Sequence, residues 1–130
     1  MAKRRMSKKR RTEALAKDIR NWLLDHEMWI DTCIYFNGKA YSTHDKKEDR
    51  FYYNDRDHLI ELENEDPRDY FEYVNSDHIL SMSFEGPLYD VLNAYVPGWT
   101  RLEAEFQKLF EKYGLYYEMG NAWNLTCCEM

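Results

Sequence analysis

The chain has 130 residues, 44% of them hydrophobic, with a net charge of −6, three cysteines and 16% aromatic residues. That length suits one domain with an ordinary core. It gives no ground for a disulfide scaffold, and no run of about 20 apolar residues exists to form a membrane span. A basic start with no apolar segment behind it excludes a secretory signal, so a soluble protein of the cytoplasm is expected, with no cofactor motif to suggest bound chemistry.

Lys3, Arg4, Arg5, Lys8, Lys9, Arg10 and Arg11 stand in the first eleven residues with no acid among them, which leaves the rest of the chain at −13. Residues 1–11 have no hydrophobic periodicity and are expected to be a basic arm, or an irregular extension of the helix that follows, ahead of one α+β domain over residues 12–130. Thr12 is a candidate N-cap, and Leu15, Ile19, Trp22 and Leu23 repeat at the spacing of one helix face, predicting a helix to about Glu27.

Trp29 to Phe36 and Ala40 to Thr43 are β-branched and aromatic and flank Asn37-Gly38, the pair that best supports two successive positive φ angles in a hairpin turn. The polar run 43–50 reads as a loop. Phe51 to Tyr53 and His58 to Glu63 read as two short strands around a turn at residues 54–57. Asp66-Pro67 is a helix start, predicting two turns to about Asn75.

Leu80, Met82 and Phe84 alternate with Ser81 and Ser83, a strand with its serines toward solvent. After Gly86, Pro87 opens a helix whose face is Leu88, Val91, Leu92 and Tyr95. Thr100 with Glu103 has the spacing of a capping box for a helix carrying Leu102, Phe106, Leu109, Phe110 and Tyr113 and ending at Gly114. Leu115 to Met119 and Ala122 to Cys128 form a closing hairpin around Gly120-Asn121. The sum is a mainly antiparallel sheet of about seven strands built from hairpins, with about four helices packed on it.

Catalytic and metal signatures are missing from the sequence. His26, His44, His58 and His78 are scattered, Cys33 lies within a strand pattern, and phosphate-cradling glycine loops are absent. A non-enzymatic role is expected. What remains is surface: fourteen acids and five bases lie between Asp45 and Asp90, interleaved with tyrosines. Tyr52, Asp55, Asp57, Glu61, Glu63, Asp69, Glu72 and Tyr73 form a candidate partner-binding surface, because spaced carboxylates suit a basic cleft and tyrosine suits an interface. The seven cations of the arm are candidates for neutralising the phosphates of DNA or RNA.

The runs YFEYVNSDHILSMSFEGPLYDVLN and EKYGLYYEMGNAWNLTC resemble small proteins carried by phages and conjugative elements. Some of that kind are anti-CRISPR or antirestriction factors that act by binding. The resemblance implies an inhibitor whose partner is a nucleic-acid-handling defence complex such as a CRISPR effector or restriction enzyme. The basic arm departs from a pure DNA-mimic pattern. The alternative is a regulatory module that binds nucleic acid through the arm alone.

Overall fold

The computed structural model describes residues 7–71, 74 and 79–130. It is an α+β domain in which α1 (Lys8–Asp25), α2 (Pro87–Leu92) and α3 (Trp99–Glu111) cover one face of an antiparallel sheet. The strands of that sheet are β1 (Thr32–Phe36), β2 (Lys39–Ser42), β5 (Glu61–Glu63), β6 (Leu80–Phe84), β7 (Leu115–Asn121) and β8 (Asn124–Glu129), in the spatial order β5-β2-β1-β6-β8-β7. A separate two-residue ladder joins β3 (His44–Asp45) to β4 (Arg50–Phe51).

Period-2 alternation on β1, β6 and β8 decides what each face carries. Ile34, Phe36, Leu80, Met82, Phe84, Leu125 and Cys127 point toward the helices and meet Leu15, Ile19, Leu23, Leu88, Val91, Phe106 and Phe110 in one buried cluster. Trp22 Nε1 donates to Glu105 Oε1 at 3.1 Å, and Tyr113 donates its hydroxyl hydrogen to Asp18, so α1 and α3 are also joined by polar contacts. The opposite face carries Cys33, Tyr35, Ser81, Ser83, Asn124 and Thr126, with Phe71, Val74 and Trp123 packed near Tyr35 and Ala40.

The Asn37-Gly38 hairpin forms as expected, with φ of 49° and 77°. The β6-to-α2 element also forms, although α2 stops at Leu92 and leaves Tyr95 68% exposed. Several expectations are corrected. Among the described residues there are three α-helices, not four: Asp66-Pro67 starts only one 3₁₀ turn, Pro67–Asp69, with Asp66 accepting from the Arg68 backbone. α1 begins at Lys8 and so takes in residues 8–11, the last four of the expected arm, with the Ser7 hydroxyl accepting from Arg10 N. Thr12 is inside the helix and donates to Lys8 O at 2.8 Å.

Phe51 to Tyr53 and His58 to Glu63 do not pair with each other. Phe51 belongs to β4 and pairs with His44 inside the run read as a loop, and Glu61–Glu63 pairs with β2, which brings the described strands to eight. The Thr100 capping box does not form, because Gly98, at φ 80°, already caps α3 one residue before Trp99. The closing turn shifts to Ala122-Trp123 and the ladder slips between Met119 and Asn121, so Gly120 sits at a bulge. Ser81 is fully buried, not solvent-facing. Lys3, Arg4, Arg5, Glu72, Tyr73 and His78 lie outside the described residues.

Gly86 is where β6 turns into α2, and a Cβ there would overlap the carbonyl oxygen of Ile30. The same crossing is tied by Glu85 N donating to Asp31 O at 3.0 Å. Backbone cannot yield as a flexible side chain can. Gly86→Ala is therefore expected to cost about 1–3 kcal/mol, the range for overpacking, read as a lower urea midpoint with an unchanged slope.

Candidate binding surfaces

The described cations of the arm are the first turn of α1. Lys8, Lys9 and Arg10 are exposed, and none of the three has an ion pair among the described residues. Arg11 lies lower and binds Glu129 Oε1 on β8 at 2.6 Å, holding that carboxyl below its usual range. Asn37, in the first hairpin turn, donates from Nδ2 to Lys9 O at 3.0 Å. These contacts pin the helix start to both hairpins. Between them runs an open groove of about 490 Å³ lined by Lys8, Lys9, Arg11, Asn37, Ile79 and Glu129.

Cations are out of place at a helix N-terminus. The aligned peptide dipoles already make that end positive, so each added cation there is unfavourable by a few tenths of a kcal/mol to about 1 kcal/mol. α1 has no acid in its first turn to offset them. The same superposition of side-chain charge, dipole and unsatisfied N–H groups is attractive to an anion.

The acidic candidates are carried on three separate elements. Arg20 donates to the carbonyls of Asp55 and Arg56 at 3.3 Å, and Arg56 pairs with Asp25, so Asp55 and Asp57 stand beside the C-terminal half of α1. Asp55 is partly occupied, accepting from Asp57 N at 3.2 Å. Glu61 and Glu63 flank Leu62 on β5, an outer edge of the sheet; Glu61 binds Lys39 at 2.7 Å, while Glu63 is exposed. Asp69 is exposed in the 3₁₀ turn. Charge on an edge strand also blocks pairing with another chain, which gives Glu61 and Glu63 a structural task of their own.

Tyr52 is built into a stack. Its ring lies on His58 at 3.7 Å and 7°, Arg50 sits 5.7 Å from its centre, and its hydroxyl donates to Glu48 at 2.7 Å, which raises its pKa. Nearby, Phe51 and Tyr53 are 55% and 45% exposed. The structure thus brings Glu61 and Glu63 together on β5, places Tyr52 on His58, whose backbone N donates to the Asp55 carbonyl at 3.2 Å beside Asp57, and leaves Asp69 elsewhere.

None of the thiols is prepared to act as a nucleophile. Burial pushes Cys33 up to about 11 and Cys127 up to about 12, and Cys128 is raised as well. Among the described residues no three His, Cys, Asp or Glu side chains are grouped to hold a metal ion. His26 and His44 face Glu105 and Asp49, and no described helix is long and apolar enough to cross a membrane.

Sequence reasoning missed a cleft of about 420 Å³ on the face away from the helices, lined among others by Asp31, Cys33, Ser42, His44, Ser83 and Trp123. Its signal in the sequence was the Ser81 and Ser83 alternation. Alternation assigns those serines to the face away from the core without showing that other residues cover it.

A thiol whose pKa is raised by folding binds its proton more tightly in the folded state. Its contribution to stability is full below the unfolded value near 9 and is lost as pH rises toward the folded value. Stability is therefore expected to fall between pH 9 and 12, read by urea midpoints across that window, with the fall shallower in Cys33→Ala. Cys33 in the folded protein should also resist iodoacetamide at pH 8.

No protein-family model, curated protein or solved structure matches this chain.

Proposed function

We propose that this protein is a non-enzymatic, cytoplasmic accessory factor of a mobile element that binds a nucleic-acid-handling defence complex and blocks it, in the manner of anti-CRISPR or antirestriction proteins. The observation that carries the reading is the first turn of α1: Lys8, Lys9 and Arg10 exposed and unpaired among the described residues, at the positive end of an 18-residue helix. A turn built against its own electrostatics is suited to a phosphate backbone. The acids of β5 and of residues 55–57, with Tyr52, provide the opposite pole for a basic protein surface. Burial holds the Cys33 thiol above its usual range, which suits a packing role for it and leaves the reading to the surface charge.

The distribution of the acids favours a second reading. They lie on three elements, so the cationic turn acting alone as a nucleic-acid-binding regulatory module needs less from the structure.

Two measurements separate these. In a cleavage-protection assay with candidate defence nucleases, saturating protein is expected to prevent cleavage, and Glu61→Lys with Glu63→Lys is expected to abolish protection; complete cleavage with the unmodified protein rejects the inhibitor reading. In electrophoretic retention at several salt concentrations, Lys8, Lys9 and Arg10 changed together to Ala should reduce the log–log salt slope by about 2–3, since each phosphate contact contributes about 0.9. If the unmodified protein shows no retention even at low salt, neither role of the turn stands.

A further inference from the structure

Register and alternation assemble a cleft on the sheet face away from the helices. Cys33 pairs with Ser42 on one side and with Ser83 on the other, so the three stand abreast on β2, β1 and β6 as the floor of the 420 Å³ space. One wall is Phe51 on β4, and the other is Trp123 in the turn before β8. Glu85 continues the alternation of Ser83 past the end of β6, and Asp31 lies beside it, its carbonyl accepting from Glu85 N at 3.0 Å. These two residues are the acids of the lining, to which no Lys or Arg contributes.

One wall and the rim are open to a ligand. Phe51 is 55% exposed: His44 stacks on it with ring centres 4.4 Å apart at 14°, covering one face of the ring, and Tyr53 meets it only obliquely, at 5.8 Å and 43°. Arg50, its neighbour in the chain, leans over Tyr52 instead, with Cζ 5.7 Å from that ring's centre. The Tyr53 hydroxyl donates to Asp31 Oδ1 at 2.6 Å, so the tyrosine that borders Phe51 also holds a carboxylate beside that wall. Glu85 is exposed and has no ion pair among the described residues. An exposed aromatic face next to two carboxylates attracts a cation twice over, through the ring quadrupole and through charge.

We infer that this cleft receives an arginine side chain from a basic protein partner, with the guanidinium lying on Phe51 and bonded to Glu85 and Asp31. A guanidinium is flat, stacks on an aromatic face and presents its N–H groups in a fork that fits carboxylates, whereas an ammonium is a compact and strongly hydrated point charge. Trp123 closes the opposite side, and Asp31 Oδ2 and the two oxygens of Glu85 are the acceptors. The charge of the domain acts in the same direction: residues 12–130 sum to −13, so a basic surface is drawn in before any side chain enters. The identity of the partner rests on the inhibitor reading above, in which a basic protein surface is bound; the preference for a guanidinium belongs to the cleft and does not involve the cationic turn of α1.

Titration of the ¹⁵N-labelled full-length protein with a capped glycine-serine peptide carrying one central arginine tests this by NMR. The Trp123 indole and Glu85 amide resonances are expected to shift saturably at millimolar peptide. The same peptide with citrulline, which keeps the shape and removes the charge, should bind several-fold more weakly, and so should the peptide with lysine. Phe51→Ala is expected to weaken arginine binding by up to about fivefold, the scale of an exposed cation–π contact. Asp31→Asn with Glu85→Gln should weaken it about tenfold, as for two partly exposed ion pairs, whereas Glu61→Gln with Glu63→Gln, an equal loss of charge on β5, should leave it unchanged. The proposal is overturned by the absence of a saturable shift with the arginine peptide, by equal binding of the citrulline or lysine peptide, by equal effects of the two charge-removing pairs, or by Trp123 shifts that grow with protein concentration alone, which would give the cleft to a second copy of this chain. The cleavage-protection assay separates the two readings: arginine binding with complete cleavage rejects the inhibitor and keeps the cleft, and protection without arginine binding rejects the cleft and keeps the inhibitor.

Discussion

The pairing of β1 with β6 is the constraint on which the rest of the molecule depends. Five consecutive residue pairs, from Thr32 with Phe84 to Phe36 with Leu80, lock two strands that both alternate apolar and polar, so one register decides both faces of the sheet at once. Slipping β6 by one residue against β1 would turn Met82 away from α1 and α3 and bring Ser81 and Ser83 into the apolar cluster. β2 and β8 add to either side of this pair, and the helices then have a fixed surface to cover. The close approach of Gly86 to Ile30 belongs to the same constraint, since it joins the end of β6 to the segment that leads into β1.

The parts of the fold legible in the sequence are those whose signal is local. Asn37-Gly38 meets a backbone requirement within two residues, and both φ angles are positive as a type I′ turn needs. The stripe of Leu15, Ile19, Trp22 and Leu23 has its periodicity in one segment, and all four are buried. What was illegible depends on competition or on distance. At α3 two caps compete, and Gly98 in the left-handed region starts the helix before Thr100 can. At Pro67 the start signal is real but carries no information on length, and the turn is spent after three residues. The β3–β4 ladder is only two pairs long, with Phe51 its one apolar residue, below what alternation can detect.

The same division holds for the candidate surfaces. Seven cations are visible as composition, yet the entry of Lys8, Lys9, Arg10 and Arg11 into regular helix was not, because Lys and Arg propagate a helix well without any apolar periodicity. Their anchoring comes from Asn37 and Glu129, 28 and 118 residues away in sequence from the groups they bind. The acids are also visible as composition, but the fold distributes them by where each loop returns to the sheet. The cleft is assembled from several strands and two turns, so it exists only once register is set.

Asn124 shows how the sheet face away from the helices departs from a merely polar one. A strand face next to solvent needs no pairing, and a sealed face is ordinarily filled with apolar groups or with polar groups that satisfy one another. Ser81 and Thr126 follow the second rule two residues away. At Asn124 neither rule is followed, since the amide is sealed yet unpaired. Leucine has the same branched outline, with more bulk, and would avoid the desolvation of two polar atoms, so burial of apolar surface alone gives no reason for an asparagine here.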